Sequence, residues 1–312
     1  MTEIAAAVGG TTAPIAVAAE PNSSFAADVW RNFRRHRGGV VGLVVLLLIT
    51  SLVVAGPWLY YIEGGRPNYR ARNQGPSWSF PLGTDNLGRD LLAQLLSGGR
   101  TTLAVGMSAM FLSLVIGTLV GILSGYWRRL DGPLMRLTDL FLALPMLPLL
   151  LVAVMLFRDT LRAAFGPEAG IFILLVTVIG VTSWMHTARI VRGDVLALKR
   201  RDFITAAQAS GTRETSIVLH HLLPNVVSSI MVSATLGIAT AIITESALSF
   251  LGLGFPSDYP TWGRLLFDGV NFIQITPTRV LWPGLAISLV VLSVNYVGDA
   301  IRDALDPRAL GR

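Results

Sequence analysis

The chain has 312 residues, 52% hydrophobic and 14% charged, with a mean hydropathy of +0.60, against about 25% charged residues in an ordinary soluble domain. A single water-soluble globule would expose too much apolar surface, and the bulk of the chain is too apolar to be disordered. With no cysteine, disulfides, thiolate metal sites and cysteine nucleophiles are excluded.

Residues 1–29 are rich in Ala, Thr, Ser and Gly and lack a basic stretch ahead of an apolar core. They read as a disordered cytosolic tail, not a cleaved signal peptide. Six stretches free of Asp, Glu, Lys and Arg follow, at 38–62, 101–127, 140–157, 169–188, 226–244 and 280–298. About 20 apolar residues at 1.5 Å each cross a bilayer core, and lipid satisfies no backbone groups, so each is expected to be a transmembrane helix. The fold class is therefore all-α with six spans. Trp58, Tyr60, Tyr61, Tyr126, Trp127 and Trp184 near their ends suit an interfacial belt.

A cytosolic N-terminus places 16 Lys and Arg inside and 9 outside, with Arg31, Arg34, Arg35 and Arg37 directly before the first span. The net charge of +6 is thus mainly a topology signal, with anionic lipid as its contact and no basic face left for nucleic acid. The expected segments are the tail at 1–29, a basic flank and first span at 30–62, and an extracytoplasmic loop at 63–100. A five-helix core at 101–298 holds a cytosolic loop at 186–225 and an outer loop at 245–279, before a cytosolic end at 299–312.

Within the 63–100 loop, Asp85-Asn86-Leu87-Gly88-Arg89-Asp90 lacks the ligand spacing of a calcium loop. Asp85 is expected to cap a helix, and Arg89 and Asp90 to form local pairs. In the second span Gly117, Gly121 and Gly125 recur every four residues, a bare helix face suited to close packing; Gly121→Leu is expected to weaken assembly with a partner subunit. Pro145 and Pro148 are expected to bend the third span. In the loop at 189–225, Asp202 can cap a short helix from Phe203, Ala206 and Ala207 offer a small-residue surface, and Gly211 ends the helix with a left-handed residue. Thr212 can cap the next helix. This is a docking peg, or alternatively an amphipathic helix on lipid headgroups. Adjacent His220 and His221 point about 100° apart on a helix, so no metal site is expected. Glu245 ends the fifth span before a glycine-broken stretch containing Phe250, Leu251, Gly252 and Gly254. This reads as a gate or pathway wall, or Glu245 merely caps an interfacial helix.

Thr205-Ala206-Ala207, three residues, Gly211, nine residues and His221-Leu222-Leu223-Pro224 resemble the EAA loop of ABC-transporter permeases. Residues 81–106, 245–266 and 298–308 resemble the C-type permease of dipeptide and oligopeptide importers. The resemblance implies a type I importer permease, non-catalytic, forming half of a translocation pathway in a bacterial inner membrane with both termini cytosolic. It also implies a second permease, two ATPase subunits or a fused one that bind the ATP and Mg, and an extracytoplasmic binding protein docking near Asp85, Arg89 and Asp90. This chain itself is expected to bind no cofactor, and its one lysine, Lys199, follows no phosphate-binding loop. Coupling is assigned to Asp202, Thr205, Ala206, Ala207, Gly211 and Thr212. Thr205 replaces the usual glutamate, leaving that residue's ion pair in doubt. Nickel chelates, haem or glutathione are alternative cargoes. A secondary transporter would carry charges within its spans, and an intramembrane serine protease would need a histidine there, whereas His186 is read as lying at a cytosolic end. A channel would need a polar ring from an oligomer.

Overall fold

A computed structural model describes residues 25–60, 67–256 and 258–305. The helices are α1 (Phe25–Arg35), α2 (Arg37–Leu59), α3 (Leu91–Tyr126), α4 (Arg128–Ala143), α5 (Met146–Phe165), α6 (Pro167–Val181), α7 (Trp184–Leu198), α8 (Asp202–Ala209), α9 (Glu214–Ser216), α10 (Leu223–Phe250), α11 (Trp262–Val270) and α12 (Thr278–Leu305). A π-helical turn at Ile217–Leu222 joins α9 to α10, so Glu214–Phe250 runs as one helix. Among the described residues, extended pairing is confined to a bridge between Thr84 and Asp90.

Four helices are long and apolar enough to cross a membrane, and α4 with α5 and α6 with α7 form two bent pairs that bring the spans to six if each pair counts as one. The third expected span is not a single helix: α4 and α5 meet at 91°. Pro145 is extended (φ −67°, ψ 109°) and becomes the N-cap of α5, which places Pro148 in the first turn, where a missing N–H costs nothing. The fourth span bends by 41° at Thr182 and Ser183 and continues to Leu198, so the 189–225 segment is helical through much of its length.

Most of the expected 1–29 tail lies outside the described residues, but Phe25–Arg35 is helical and not disordered. Phe33 of α1 is buried beside Val297, Ala300 and Ala304 of α12, and apolar contact of this kind orders a terminal segment. His36 separates α1 from α2 and caps α2, its Nδ1 accepting from Gly39 N at 2.9 Å. The expected end of the first span at 61–62 and the C-terminal stretch at 306–312 also lie outside the described residues.

Helix α3 is the axis of the fold, packed against α7, α10, α6 and α2. Gly117, Gly121 and Gly125 face α7 of the same chain: a Cβ on each would stand 2.7 Å from the Cβ of Thr187, Val191 and Val195 respectively. The stripe therefore serves an internal contact, and the expectation that it joins a partner subunit is corrected by this register. In the four long spans only 17–33% of the most apolar window is buried within the chain. The remaining apolar side chains face outward, toward lipid or other subunits.

Candidate functional site

The α8 loop stands off the C-terminal ends of α3 and α7. Its one buried side chain, Ile204, enters a cluster with Ile122, Val191, Val195, Ile217 and Leu222, while Phe203, Thr205 and Ala206 stay exposed and Ala207 is half-buried. Extended Arg201 (φ −79°, ψ 147°) is the N-cap, so Asp202 is the first helical residue and not the cap. Its carboxylate still favours the positive end of α8. Gly211 has φ +76°. Its N–H bonds Gln208 O at 3.0 Å and the Thr212 N–H bonds Ala207 O at 3.1 Å, a Schellman ending that requires a left-handed residue there. Thr212 caps no helix, because Arg213 holds that place for α9; its hydroxyl lies 3.2 Å from Ser210 Oγ. Thr205, in place of glutamate, bonds Arg201 O at 3.4 Å.

The loop is tied to the end of α3 by contacts that sequence reasoning missed. Trp127 Nε1 donates to Glu214 Oε2 at 2.9 Å, Gln208 bonds the Tyr126 side chain, and Lys199 Nζ donates to Tyr126 O at 2.6 Å while lying over the ring. Tyr126 and Trp127 had been legible only as interfacial aromatics. These contacts join the segment around α8 to the end of α3, whose glycine face packs in turn on α7.

At the opposite end, Glu245 lies inside α10, five residues before its end, and is wholly buried. Ser249 Oγ donates to it at 2.7 Å, and Ser246, Thr102 of α3 and Thr261, the N-cap of α11, also bond it. Both sequence readings of Glu245 are corrected. Its carboxyl is enclosed by four hydroxyls, so it neither lines a pathway nor caps a helix in water; it pins α3, α10 and α11 together. The following loop is held from two more helices. Arg158 of α5 donates to Gly254 O at 3.2 Å and Gly252 O at 3.5 Å, and Tyr259 bonds Glu168 of α6, which with burial pushes the phenol pKa up. Gly252 has φ +80°, and a Cβ on Gly254 would strike Ser249 Oγ. Phe250 and Leu251 remain exposed.

Asp85, Arg89 and Asp90 are buried, at 6%, 5% and 2% exposure. Asp85 is not a helix cap: it accepts from the Leu87 and Arg89 N–H groups, both at 2.8 Å, and pairs with Arg89 Nε at 2.6 Å. The cap of α3 is Asp90, which accepts from Ala93 N at 2.9 Å and from Tyr60 OH at 2.8 Å. Burial and this carboxylate raise the Tyr60 phenol pKa, keeping it a donor. These three residues shape the 83–90 loop from within and present little surface of their own.

Between the two ends, a groove of about 520 Å³ lies among α3, α4, α7 and α10, lined by Met110, His186, Thr187, Ser233 and Thr240 among others. Thr187 and Ser233 share a 2.7 Å hydrogen bond, and no Asp, Glu, Lys or Arg lines the groove. His186 thus borders the groove, in place of the plain span end read from sequence. A second hollow of about 480 Å³ shares Ile190, Ser233 and Leu236 and reaches Arg302 and Asp303 near the C-terminal end of α12.

A family model for the inner membrane component of binding-protein-dependent transport systems matches residues 113–311, and one for the N-terminal membrane domain of oligopeptide transport permease C matches 24–76. The chain belongs to this family of importer permeases. A dipeptide transport permease from Alkalihalophilus pseudofirmus is 37% identical, covering 90% of this chain and 89% of the relative. An oligopeptide permease from Bacillus subtilis is 33% identical over 93% of each, and a glutathione permease from Pectobacterium atrosepticum is 37% identical over 90% of each. Among solved structures, a methionine ABC transporter in inward-facing conformations superposes with a TM-score of 0.54 at 21% identity, over 68% of this chain and 97% of that one. That likeness bears on the fold.

Proposed function

We propose that this chain forms half of the translocation pathway of a peptide importer in a bacterial inner membrane, with both termini cytosolic. It works with a second permease, ATPase subunits that bind the ATP and Mg, and an extracytoplasmic binding protein. The chain contributes no catalytic group and binds no cofactor itself. The observation that carries this reading is the α8 peg: exposed small side chains on a helix closed by Gly211 and tied by Gln208 and Glu214 to the end of α3. Asp202, Thr205, Ala206, Ala207, Gly211 and Thr212 form or border the ATPase contact, and ATPase closure against α8 moves α3 and α7 and so reshapes the groove. Phe250, Leu251, Gly252 and Gly254 form the outer gate, braced by Glu245. Asp85, Arg89 and Asp90 serve docking of the binding protein indirectly, by holding the 83–90 loop in shape.

The uncharged groove suits cargo of varied side chains, because it offers hydroxyls and backbone to a peptide without a fixed charge that would retain one sequence. Two relatives named for dipeptide and oligopeptide transport support this class. Glutathione, itself a tripeptide, is the second reading, favoured by the relative named for it. The test is affinity purification of the tagged chain from its native membrane, followed by ATPase assays with dipeptides, longer peptides and glutathione. Recovery of a second permease and an ATPase, with hydrolysis stimulated by peptides, is the expected result. Recovery of the chain alone would refute the assembly, and stimulation by glutathione alone would transfer the cargo to the second reading.

A further inference from the structure

Between the 83–90 loop, α11 and the first turn of α12 lies a cavity of about 20 Å³, lined by Asp85, Arg89, Gln94, Asp268, Thr278 and Arg279 among others. A space of this size holds one small species. Its lining carries two carboxylates, Asp85 and Asp268, and two guanidiniums, Arg89 and Arg279, with Arg264 beside Asp268 but outside the lining. Asp85 is bonded to Arg89 at 2.6 Å, and Asp268 to Arg264 at 3.1 Å. Arg279, 5% exposed, is the third arginine: its Nη2 donates to neutral acceptors, Asn73 Oδ1 at 2.6 Å and Thr84 O at 3.1 Å, and its plane lies over Phe272. Its Nε and Nη1 are buried with no hydrogen-bond partner. Asp85 is close enough to attract Arg279, but that carboxylate is already engaged by Arg89, Gln94 and two backbone N–H groups. Arg279 also stands in the first turn of a 28-residue helix, where the macrodipole adds partial positive charge. A buried cation with two unmet donors is costly unless an anion or a water meets them.

We propose that this cavity binds a small monovalent anion of chloride size, held by Nε and Nη1 of Arg279 at the N-terminal end of α12. The anion would clamp the 83–90 loop and α11 onto α12, making the outer surface of the protein sensitive to halide. The two unmet N–H donors of a charged guanidinium, with both lining carboxylates already bonded to arginines, favour an anion over water.

The test uses the complex purified through the tagged chain in detergent, with unfolding midpoints compared in sodium chloride, sodium bromide and sodium gluconate at equal ionic strength. Chloride and bromide are expected to raise the midpoint over gluconate by about 2–4 °C, and Arg279→Gln to abolish the difference. Equal midpoints in all three salts for the unaltered complex would overturn the proposal, as would a halide effect that persists in Arg279→Gln. Should that variant fail to assemble, bromide anomalous scattering from crystals of the unaltered complex decides. A peak beside Arg279 supports the site, and density without anomalous signal shows water and overturns it.

Discussion

Gly121→Ala is the sharpest test of the α3–α7 contact, because the same substitution carries opposite signs at two nearby places. A Cβ on Gly121 would stand 2.7 Å from Val191 Cβ and 2.8 Å from Ala188 O. One is the stem of a β-branched side chain and the other is backbone, so neither gives way unless the helices separate. Gly117 and Gly125 sit one turn away on the same seam, each within 2.7 Å of an α7 Cβ by the same construction, so separation at Gly121 loosens their contacts too. Overpacking costs about 1–3 kcal/mol, offset by about 1 kcal/mol of helix propensity gained by alanine. The net loss is up to about 2 kcal/mol, or up to about 8 °C in unfolding midpoint. Gly193 of α7 has nothing within 4 Å of its added Cβ, so Gly193→Ala retains the propensity term alone and should raise the midpoint. The assay is thermal unfolding of the purified complex followed by tryptophan fluorescence, with co-purification of partner subunits scored in parallel. Because the seam lies within the chain, Gly121→Ala should lower the midpoint without changing which subunits co-purify. Equal stabilisation by the two alanines would refute the packing, and loss of a partner with an unchanged midpoint would place the stripe at a subunit interface after all.

Three further outcomes follow from the two ends of the molecule. A side chain at Gly211 meets nothing within 4 Å, so Gly211→Val suffers only its left-handed backbone, about 1–2 kcal/mol; membrane insertion should persist while cargo no longer stimulates ATP hydrolysis, and normal coupled uptake would sink the role given to α8. Glu245→Gln keeps partners for the four surrounding hydroxyls and should assemble nearly normally. Glu245→Leu strands them at about 1–3 kcal/mol each and should abolish accumulation; equal tolerance of both, read by membrane abundance, would contradict the hydroxyl cage. Arg158→Met frees the carbonyls of Gly252 and Gly254, so limited chymotrypsin digestion should cut faster near exposed Phe250, Leu251 and Tyr259, and an unchanged cutting rate would argue against the clamp.

The all-helical class and the four long spans were legible because lipid imposes a local rule: each apolar stretch must satisfy its own backbone. The left-handed Gly211 was legible for a similar reason, since a helix ending depends on neighbours within six residues. Legibility fails where a role is decided by residues distant in the chain. Pro145 announced a bend, but not one of 91°. The glycine stripe announced a close contact, but α7, more than sixty residues later, decided that the contact is internal. Asp85 and Asp90 exchanged their expected roles because the turn through Gly88, with φ +78°, folds Asp85 onto its own loop and leaves Asp90 at the helix start. Glu245 shows the same limit most sharply. Next to a glycine-broken gate it reads as a pathway acid, and only the hydroxyls of Thr102 and Thr261, from α3 and from the loop before α11, turn it into a brace. The groove lined by Thr187, Ser233 and Thr240 carries no Asp, Glu, Lys or Arg, so it leaves no charge pattern in the sequence to read.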